Sequence, residues 1–131
     1  MVNLNEGIAV DAAHSVKNRK TEYRGIDLKT GKVVFYECIG NQTINIGEFL
    51  AIVEAVKYII EHDYTPKVIY SDSNTAISWF NRKATASEKK YPGLMKAEIY
   101  LRSIAYWIDE IKVVKWNNSQ WGEIPADFGN K

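Results

Sequence analysis

Short runs of apolar and β-favouring residues, bounded by polar turns, predict five β-strands along this chain. The predicted strands cover residues 6–12, 21–26, 33–39, 67–71 and 111–116. Residues 27–32 are turn-forming and few, so the second and third strands should pair as an antiparallel hairpin. The connection after the first strand is also short, which adds that strand to the same meander.

Three other segments carry apolar residues at spacings of three and four, the pattern of helices with one buried face. These predicted helices cover residues 49–62, 73–81 and 94–108. Asn45 followed by Glu48 matches the spacing of a capping box at the start of the first helix. Residues 117–120 should form a polar loop, and Pro125 would suit the first turn of a very short terminal helix.

The order of these elements predicts an α/β fold in a single domain over residues 1–131. A strand, a long helix and a further strand need a crossover connection, which implies parallel pairing. We therefore predict a five-stranded mixed sheet, in which an antiparallel meander of strands 1–3 is followed by parallel strands, with helices packed on both faces. A chain of 131 residues is long enough to bury its own core.

Composition narrows the chemistry that this domain can perform. Cys38 is the only cysteine, so an internal disulfide and a multi-cysteine metal site are excluded, and we expect it to be buried in a strand. With only His14 and His62 beside it, a structural zinc site is not expected, and any metal should be a hard cation bound by oxygen. The first residues lack the pattern of a secretory signal, and we expect a cytoplasmic protein.

Four acidic residues stand next to predicted elements. Asp11 follows an apolar strand, Glu48 opens the first helix, Asp72 ends the central strand, and Asp127 follows the last strand. If the first and central strands lie side by side, Asp11 and Asp72 meet at one edge of the sheet, where ligands of open α/β folds bind. Because such carboxylates repel one another, divalent cations such as Mg²⁺ would stabilise the cluster.

Each acid also has a purely structural explanation. Asp11 would accept hydrogen bonds in a turn, and Glu48 would complete the capping box. Asp72 or Ser73 would cap the helix that follows the central strand, and Asp127 would be a surface residue. Residue type and spacing alone leave these alternatives open.

A basic segment follows the second predicted helix. Residues 82–96 contain five basic residues and one acid, Glu88, with Trp79 and Tyr91 nearby. This segment is either a solvated face or an element that contacts the phosphates of a nucleic acid.

Four motifs in this order resemble the type 1 ribonucleases H of the retroviral-integrase-like superfamily, and the wording WGEIPADFG resembles a bacterial subgroup. The motifs are GIAVDA, NIGEFLAIVEA, YSDSNTA and IPADFGNK, and the resemblance covers essentially the whole chain. It implies a ribonuclease H-like fold and hydrolysis of the RNA strand of RNA–DNA hybrids, with 5′-phosphate and 3′-hydroxyl products and two Mg²⁺ or Mn²⁺ ions in each site. No protein partner and no membrane are implied.

The resemblance also implies roles for individual residues. The metal-binding catalytic acids would be Asp11, Glu48, Asp72 and Asp127. Residues that contact the substrate would be Thr43, Asn45, Asn74, Arg82, Lys83, Lys89 and Lys90.

The chain departs from the family pattern at three places. Ala12 stands where many members have glycine, residues 117–123 contain no histidine, and the long C-terminal helix is absent, so we expect Asp127 on a short tail. Glu123 is a candidate substitute for the histidine. Two other functions therefore stay open: a DNA-cutting enzyme of the transposase or resolvase type, and a catalytically silent nucleic-acid-binding module.

Overall fold

Five strands form one mixed sheet in the computed structural model, which describes residues 5–85 and 91–128. The strands are β1 (Ile8–Ser15), β2 (Lys20–Asp27), β3 (Val33–Cys38), β4 (Val68–Ser71) and β5 (Lys112–Lys115), in the spatial order β3-β2-β1-β4-β5. Strands β1, β2 and β3 pair antiparallel, while β4 pairs parallel with β1 and with β5. This arrangement confirms the predicted mixed sheet.

In the part of the chain that the structure describes, five helices connect or follow these strands. They are α1 (Ile44–His62), α2 (Asn74–Arg82), α3 (Pro92–Ser103), α4 (Ala105–Ile108) and α5 (Asn118–Trp121). Among the described residues, no helix combines the length and the apolar character needed to cross a membrane.

The sheet separates two buried clusters of apolar side chains. The larger cluster joins one face of the sheet to α1, α2 and α3, with Phe49 and Trp79 in edge-to-face contact. The smaller cluster covers the opposite face, where Trp116 packs with the C-terminal residues Ile124 and Ala126 and with Trp121 of α5. The three long helices thus lie on one face, and the short α5 with the C-terminal segment lies on the other.

The first strand and the first helix both extend beyond their predicted bounds. β1 continues to Ser15, so the interpretation of Asp11 as a turn residue at the strand end is wrong. Pairing with β2 along its whole length holds this extension in place. α1 begins at Ile44, because Thr43 is the N-cap residue and its hydroxyl accepts a hydrogen bond from the amide of Ile46. The capping box of Asn45 and Glu48 is therefore not formed.

The second long helix is interrupted where one continuous helix was predicted. α3 ends at Ser103, and Ile104, with φ −109° and ψ 18°, separates it from α4. The hydroxyl of Ser103 donates to the carbonyl of Tyr100 at 2.7 Å. A side chain that bonds back in this way competes with the helical hydrogen bonds and favours a break.

Two further expectations about the C-terminal half and one about Cys38 are wrong. The predicted polar loop 117–120 contains α5, which is capped by the side chain of Asn117. Pro125 begins no helix; residues 125 and 126 form a turn, which a hydrogen bond from the amide of Asp127 to the carbonyl of Ile124 closes. The carbonyl groups of Ala126 and Asp127 accept hydrogen bonds from Arg24. Cys38 is exposed, because β3 is the outermost strand of the sheet.

Candidate functional site

Asp11 and Asp72 lie at the same level of two neighbouring parallel strands. β1 and β4 are paired as Ile8 with Ile69 and Ala9 with Tyr70, an offset of 61 residues that also separates Asp11 from Asp72. β4 ends at Ser71, so Asp72 is the first residue beyond the strand, whereas β1 continues. The sheet is therefore open beside β1 at the level of Asp11.

Glu48 enters this opening from α1. Gly47 lies so close to the sheet that a Cβ atom on it would be 2.9 Å from Cγ2 of Thr21 and 3.0 Å from Cβ of Ala12. The next residue, Glu48, accepts a hydrogen bond from the backbone amide of Ala12 through Oε1 at 3.3 Å. The close approach of helix and strand thus places the carboxylate of Glu48 against the backbone of β1.

The carboxylates of Asp11, Glu48 and Asp72 form one cluster. Each contributes an oxygen that lies within 4.8 Å of the other two. Asp11 is 1% exposed and Glu48 is 6% exposed, while Asp72 is half-buried at the rim. We name this group the acidic triad. The predicted convergence of Asp11, Glu48 and Asp72 is what the structure shows.

The electrostatics of the acidic triad fit a divalent cation. Burial raises the pKa of Glu48 far above its ordinary value, and the negative charges of Asp11 and Asp72 raise it further. Oε2 of Glu48 is buried and has no hydrogen-bond partner among the described residues. A buried oxygen without a donor, next to two further carboxylates, matches the all-oxygen ligand sets of Mg²⁺ and Mn²⁺.

Asp72 is not needed as a helix cap. Ser73 is the N-cap residue of α2, and its hydroxyl accepts a hydrogen bond from the amide of Ala76 at 3.1 Å. The capping alternative therefore applies to Ser73, and the carboxylate of Asp72 lies with those of Asp11 and Glu48.

Two residues that sequence reasoning missed contact Asp72. Nδ2 of Asn118 donates to Oδ2 of Asp72 at 3.2 Å, and Nζ of Lys115 donates to the backbone carbonyl of Asp72. Lys115 is paired with Ser71 across β4 and β5, which places it at the same edge of the sheet. The one available signal was that Lys115 ends a strand parallel to β4 and that Asn118 follows shortly after that strand.

The carboxylate of Asp127 is not part of the group whose oxygens lie within 4.8 Å of one another. It is half-buried in a turn, where its amide donates to the carbonyl of Ile124 at 2.9 Å. Its own carbonyl accepts a hydrogen bond from Nη2 of Arg24 at 2.6 Å. The structure thus brings together three of the four predicted acids and holds the fourth in the C-terminal segment that Arg24 binds.

The predicted substrate contacts that the structure describes lie in or at the ends of α1 and α2. Thr43 caps α1, and Asn45 is exposed one turn before Glu48, where residues three apart share one side of a helix. Asn74 and Arg82 are exposed at the two ends of α2, and Lys83 ends that helix in a left-handed conformation. The predicted contacts Lys89 and Lys90 lie outside the described residues.

Several solved structures have a similar fold. A ribonuclease H1 isolated from compost by a metagenomic approach, LC11-RNase H1, is 15% identical with a TM-score of 0.57, covering 86% of this chain and 84% of that one. RNase H1 from the halophilic archaeon Halobacterium salinarum NRC-1 is 18% identical with a TM-score of 0.52, covering 86% of both chains. This chain has the ribonuclease H fold.

A third similar structure contains a ligand. LC11-RNase H1 in complex with an RNA/DNA hybrid has a TM-score of 0.53 at 15% identity, and 86% of each chain is covered. A scan against models of known protein families finds no match to this chain. At these identities the ribonuclease H fold is established by the course of the backbone, and function has to be argued from the site.

Proposed function

We propose that this protein is a metal-dependent endonuclease that hydrolyses the RNA strand of RNA–DNA hybrids, leaving 5′-phosphate and 3′-hydroxyl ends. The observation that supports the proposal most strongly is the acidic triad at the open edge of a ribonuclease H fold. Similar structures of this fold are RNase H1 enzymes, one of them in complex with an RNA/DNA hybrid.

In this proposal Asp11, Glu48 and Asp72 would hold the metal ions. When bound as a pair, Mg²⁺ or Mn²⁺ ions supply an activated water and stabilise the leaving 3′-oxygen of a phosphodiester. Asp11 and Glu48 are buried and belong to a strand and a helix, so they provide rigid ligands. Asp72 is half-buried, so its carboxylate borders the solvent from which a substrate would enter.

Residues around the acidic triad have complementary tasks. Asn118 restrains one oxygen of Asp72 through its amide, which limits the rotation of that carboxylate. Asn45 is exposed on the same side of α1 as Glu48, a position from which its amide would contact a strand whose phosphate lies at the acidic triad. A contact with the 2′-hydroxyl there would distinguish RNA from DNA.

The charge around the site supports an anionic substrate. Lys115 lies beside Asp72, and Arg82 and Lys83 end the helix that begins next to Asp72. Lys89 and Lys90 continue the same basic segment in the sequence. Contacts between such residues and phosphates would orient the nucleic acid without reading its sequence.

A substrate panel tests the proposal. The protein would be incubated in Mg²⁺ and in Mn²⁺ with an end-labelled RNA–DNA hybrid, double-stranded RNA, double-stranded DNA and single-stranded RNA. The proposal predicts cleavage of the RNA strand of the hybrid alone, with ends that a phosphatase and a 3′-end ligation assay identify. Cleavage of DNA would favour a transposase-like or resolvase-like enzyme, and binding without cleavage in either metal would favour a silent module.

A further inference from the structure

One side chain of the sheet, that of Arg24, makes several contacts with the C-terminal segment 124–128. Arg24 on β2 donates from Nε to the carbonyl of Ala126 at 2.9 Å and from Nη2 to the carbonyl of Asp127 at 2.6 Å. Its guanidinium carbon also lies 4.7 Å from the centre of the Phe128 ring. We propose that Arg24 is a positioning residue that holds Asp127 beside the acidic triad. This inference deepens the proposed function and rests on it for the metal ions, toward which Asp127 would act as a fourth acid beside the acidic triad.

Arg24 stands next to the acidic triad because of strand register. It is the partner of Asp11 in the antiparallel pair β1 and β2. Side chains of directly opposed residues project from the same face of a sheet, with Cβ atoms about 5 Å apart. A backbone segment that is bonded to Arg24 is therefore held close to Asp11.

Apolar packing fixes the same segment on the N-terminal side of Asp127. Ile124 is 2% exposed and Ala126 is fully buried, and both pack in the smaller core cluster with Ala9 and Ile26. Ala9 and Ile26 are themselves register partners, two positions from Asp11 and Arg24 and thus on the same face. The segment is consequently held by apolar packing before Asp127 and by the hydrogen bonds from Arg24 at Ala126 and Asp127.

An aromatic contact holds the segment on the far side of Asp127. The ring of Phe128 lies 6.4 Å from that of Tyr36, which is the register partner of Arg24 on β3. The hydroxyl of Tyr36 donates to Glu22 at 2.7 Å, so this ring is itself restrained. The backbone of Asp127 is thus held between anchors on both sides.

The chemistry of the guanidinium group explains why arginine suits this position. Its planar donors reach two successive carbonyl oxygens at once, and its face packs against an aromatic ring. A lysine would keep the charge but offers a single ammonium group in place of the fork. The two side chains therefore separate the effect of geometry from that of charge.

The test compares Arg24→Ala, Arg24→Lys, Asp127→Asn and the double variant Arg24→Ala with Asp127→Asn. Arg102→Ala, an exposed arginine on α3, is the matched control. Mn²⁺ affinity would be measured by calorimetry, and amide hydrogen exchange of residues 124–128 by mass spectrometry. Thermal unfolding would verify that each variant is folded.

We expect Arg24→Ala and Asp127→Asn to weaken Mn²⁺ binding by about tenfold each, the lower end for residues that support metal ligands. The double variant should bind no more weakly than Asp127→Asn alone, because Arg24 acts through Asp127. Exchange at residues 124–128 should rise in Arg24→Ala and less in Arg24→Lys, and Arg102→Ala should match the wild type in both measurements.

Two results would overturn the inference. One is an Arg24→Ala variant that binds Mn²⁺ as tightly as the wild type although the amides of residues 124–128 exchange faster. That result would show that Arg24 stabilises the segment without affecting metal binding. The other is a double variant whose loss is the product of the two single losses. Neither readout depends on cleavage, so a wild-type protein that binds Mn²⁺ without cutting a hybrid would contradict the proposed function and leave the test of Arg24 valid.

Discussion

Asp11 and Glu48 come from the strand layer and the helix layer and meet in the gap that opens beside β1 where β4 ends. Asp11 shares its face of β1 with Ala9, whereas α1 packs on the other face. Glu48 therefore reaches the level of the sheet itself, where the amide of Ala12 donates to it. This geometry places two buried carboxyl groups together.

The pH dependence of stability should report this burial. Because the pKa of Glu48 is raised far above its ordinary value of 4.5, the folded protein retains a proton that the unfolded chain releases. In the absence of divalent ions, the free energy of unfolding should fall as pH rises from about 5 to 8, by at most about 1.4 kcal/mol for each pH unit. Glu48→Gln should remove this fall, as measured by urea unfolding in chelator.

Glu54→Gln is the control for that experiment, because Glu54 is half-buried on the same helix and pairs only at 3.5 Å with Lys57. It should keep the pH dependence of the wild type. If the free energy of unfolding depended on pH equally in the wild type and in Glu48→Gln, the raised pKa of Glu48 would be contradicted.

Asn118 should tune the affinity of the acidic triad for metal. Asn118→Ala removes the donor to Oδ2 of Asp72, and we expect Mn²⁺ binding to weaken by up to about tenfold. Asn81→Ala, which changes an exposed amide at the end of α2, should leave the affinity unchanged. Calorimetry in the absence of nucleic acid measures both, and equal affinities of the two variants would remove Asn118 from the site.

Gly47 should be required for the position of Glu48. In a helix interior, glycine to alanine ordinarily stabilises by about 0.5–1 kcal/mol. Here the added Cβ would meet Thr21 at 2.9 Å and Ala12 at 3.0 Å, so Gly47→Ala should instead destabilise by about 1–3 kcal/mol. Urea unfolding gives the sign directly, and a stabilised variant would show that α1 has room to move from the sheet.

The basic end of α2 should contribute to substrate binding through phosphates. Arg82→Ala and Lys83→Ala should each weaken hybrid binding and reduce the slope of log affinity against log salt by about one. Arg102→Ala, on α3, should change neither quantity. Binding would be measured by fluorescence anisotropy at several salt concentrations in Ca²⁺, and unchanged slopes for Arg82→Ala and Lys83→Ala would place the substrate elsewhere.

The sequence pattern predicted the position of Asp72 correctly because that pattern lies in the residues directly before and after it. A β-favouring run that changes abruptly to polar residues and then to a helix marks the end of a strand whatever surrounds it. Convergence with Asp11 required only the assumption that two strands are neighbours, and the strand order confirms it. The full extent of β1 could not be predicted. Asp11 can be buried within this strand because the sheet is open beside it, and that opening depends on where β4 ends rather than on the sequence around Asp11.

Arg24 and Asn118 show what sequence reasoning could not reach. Arg24 alternates with apolar residues on β2 like any exposed strand residue, and its partners are about one hundred positions away, with separations of 102 and 103. Asn118 lies in a polar stretch with no periodicity. Their contacts depend on strand register and on the path of the C-terminal segment, which only the three-dimensional structure provides.

The most direct test of the central claim is cleavage of an end-labelled RNA–DNA hybrid by wild type and by Asp72→Asn, in Mg²⁺, in Mn²⁺ and in chelator. Asp109→Asn, an exposed acid beyond α4, is the matched control. The account predicts that wild type and Asp109→Asn cut the RNA strand only when a divalent metal is present, and that Asp72→Asn loses activity by at least about a hundredfold. Cleavage that survives chelation, or that persists in Asp72→Asn, would contradict it.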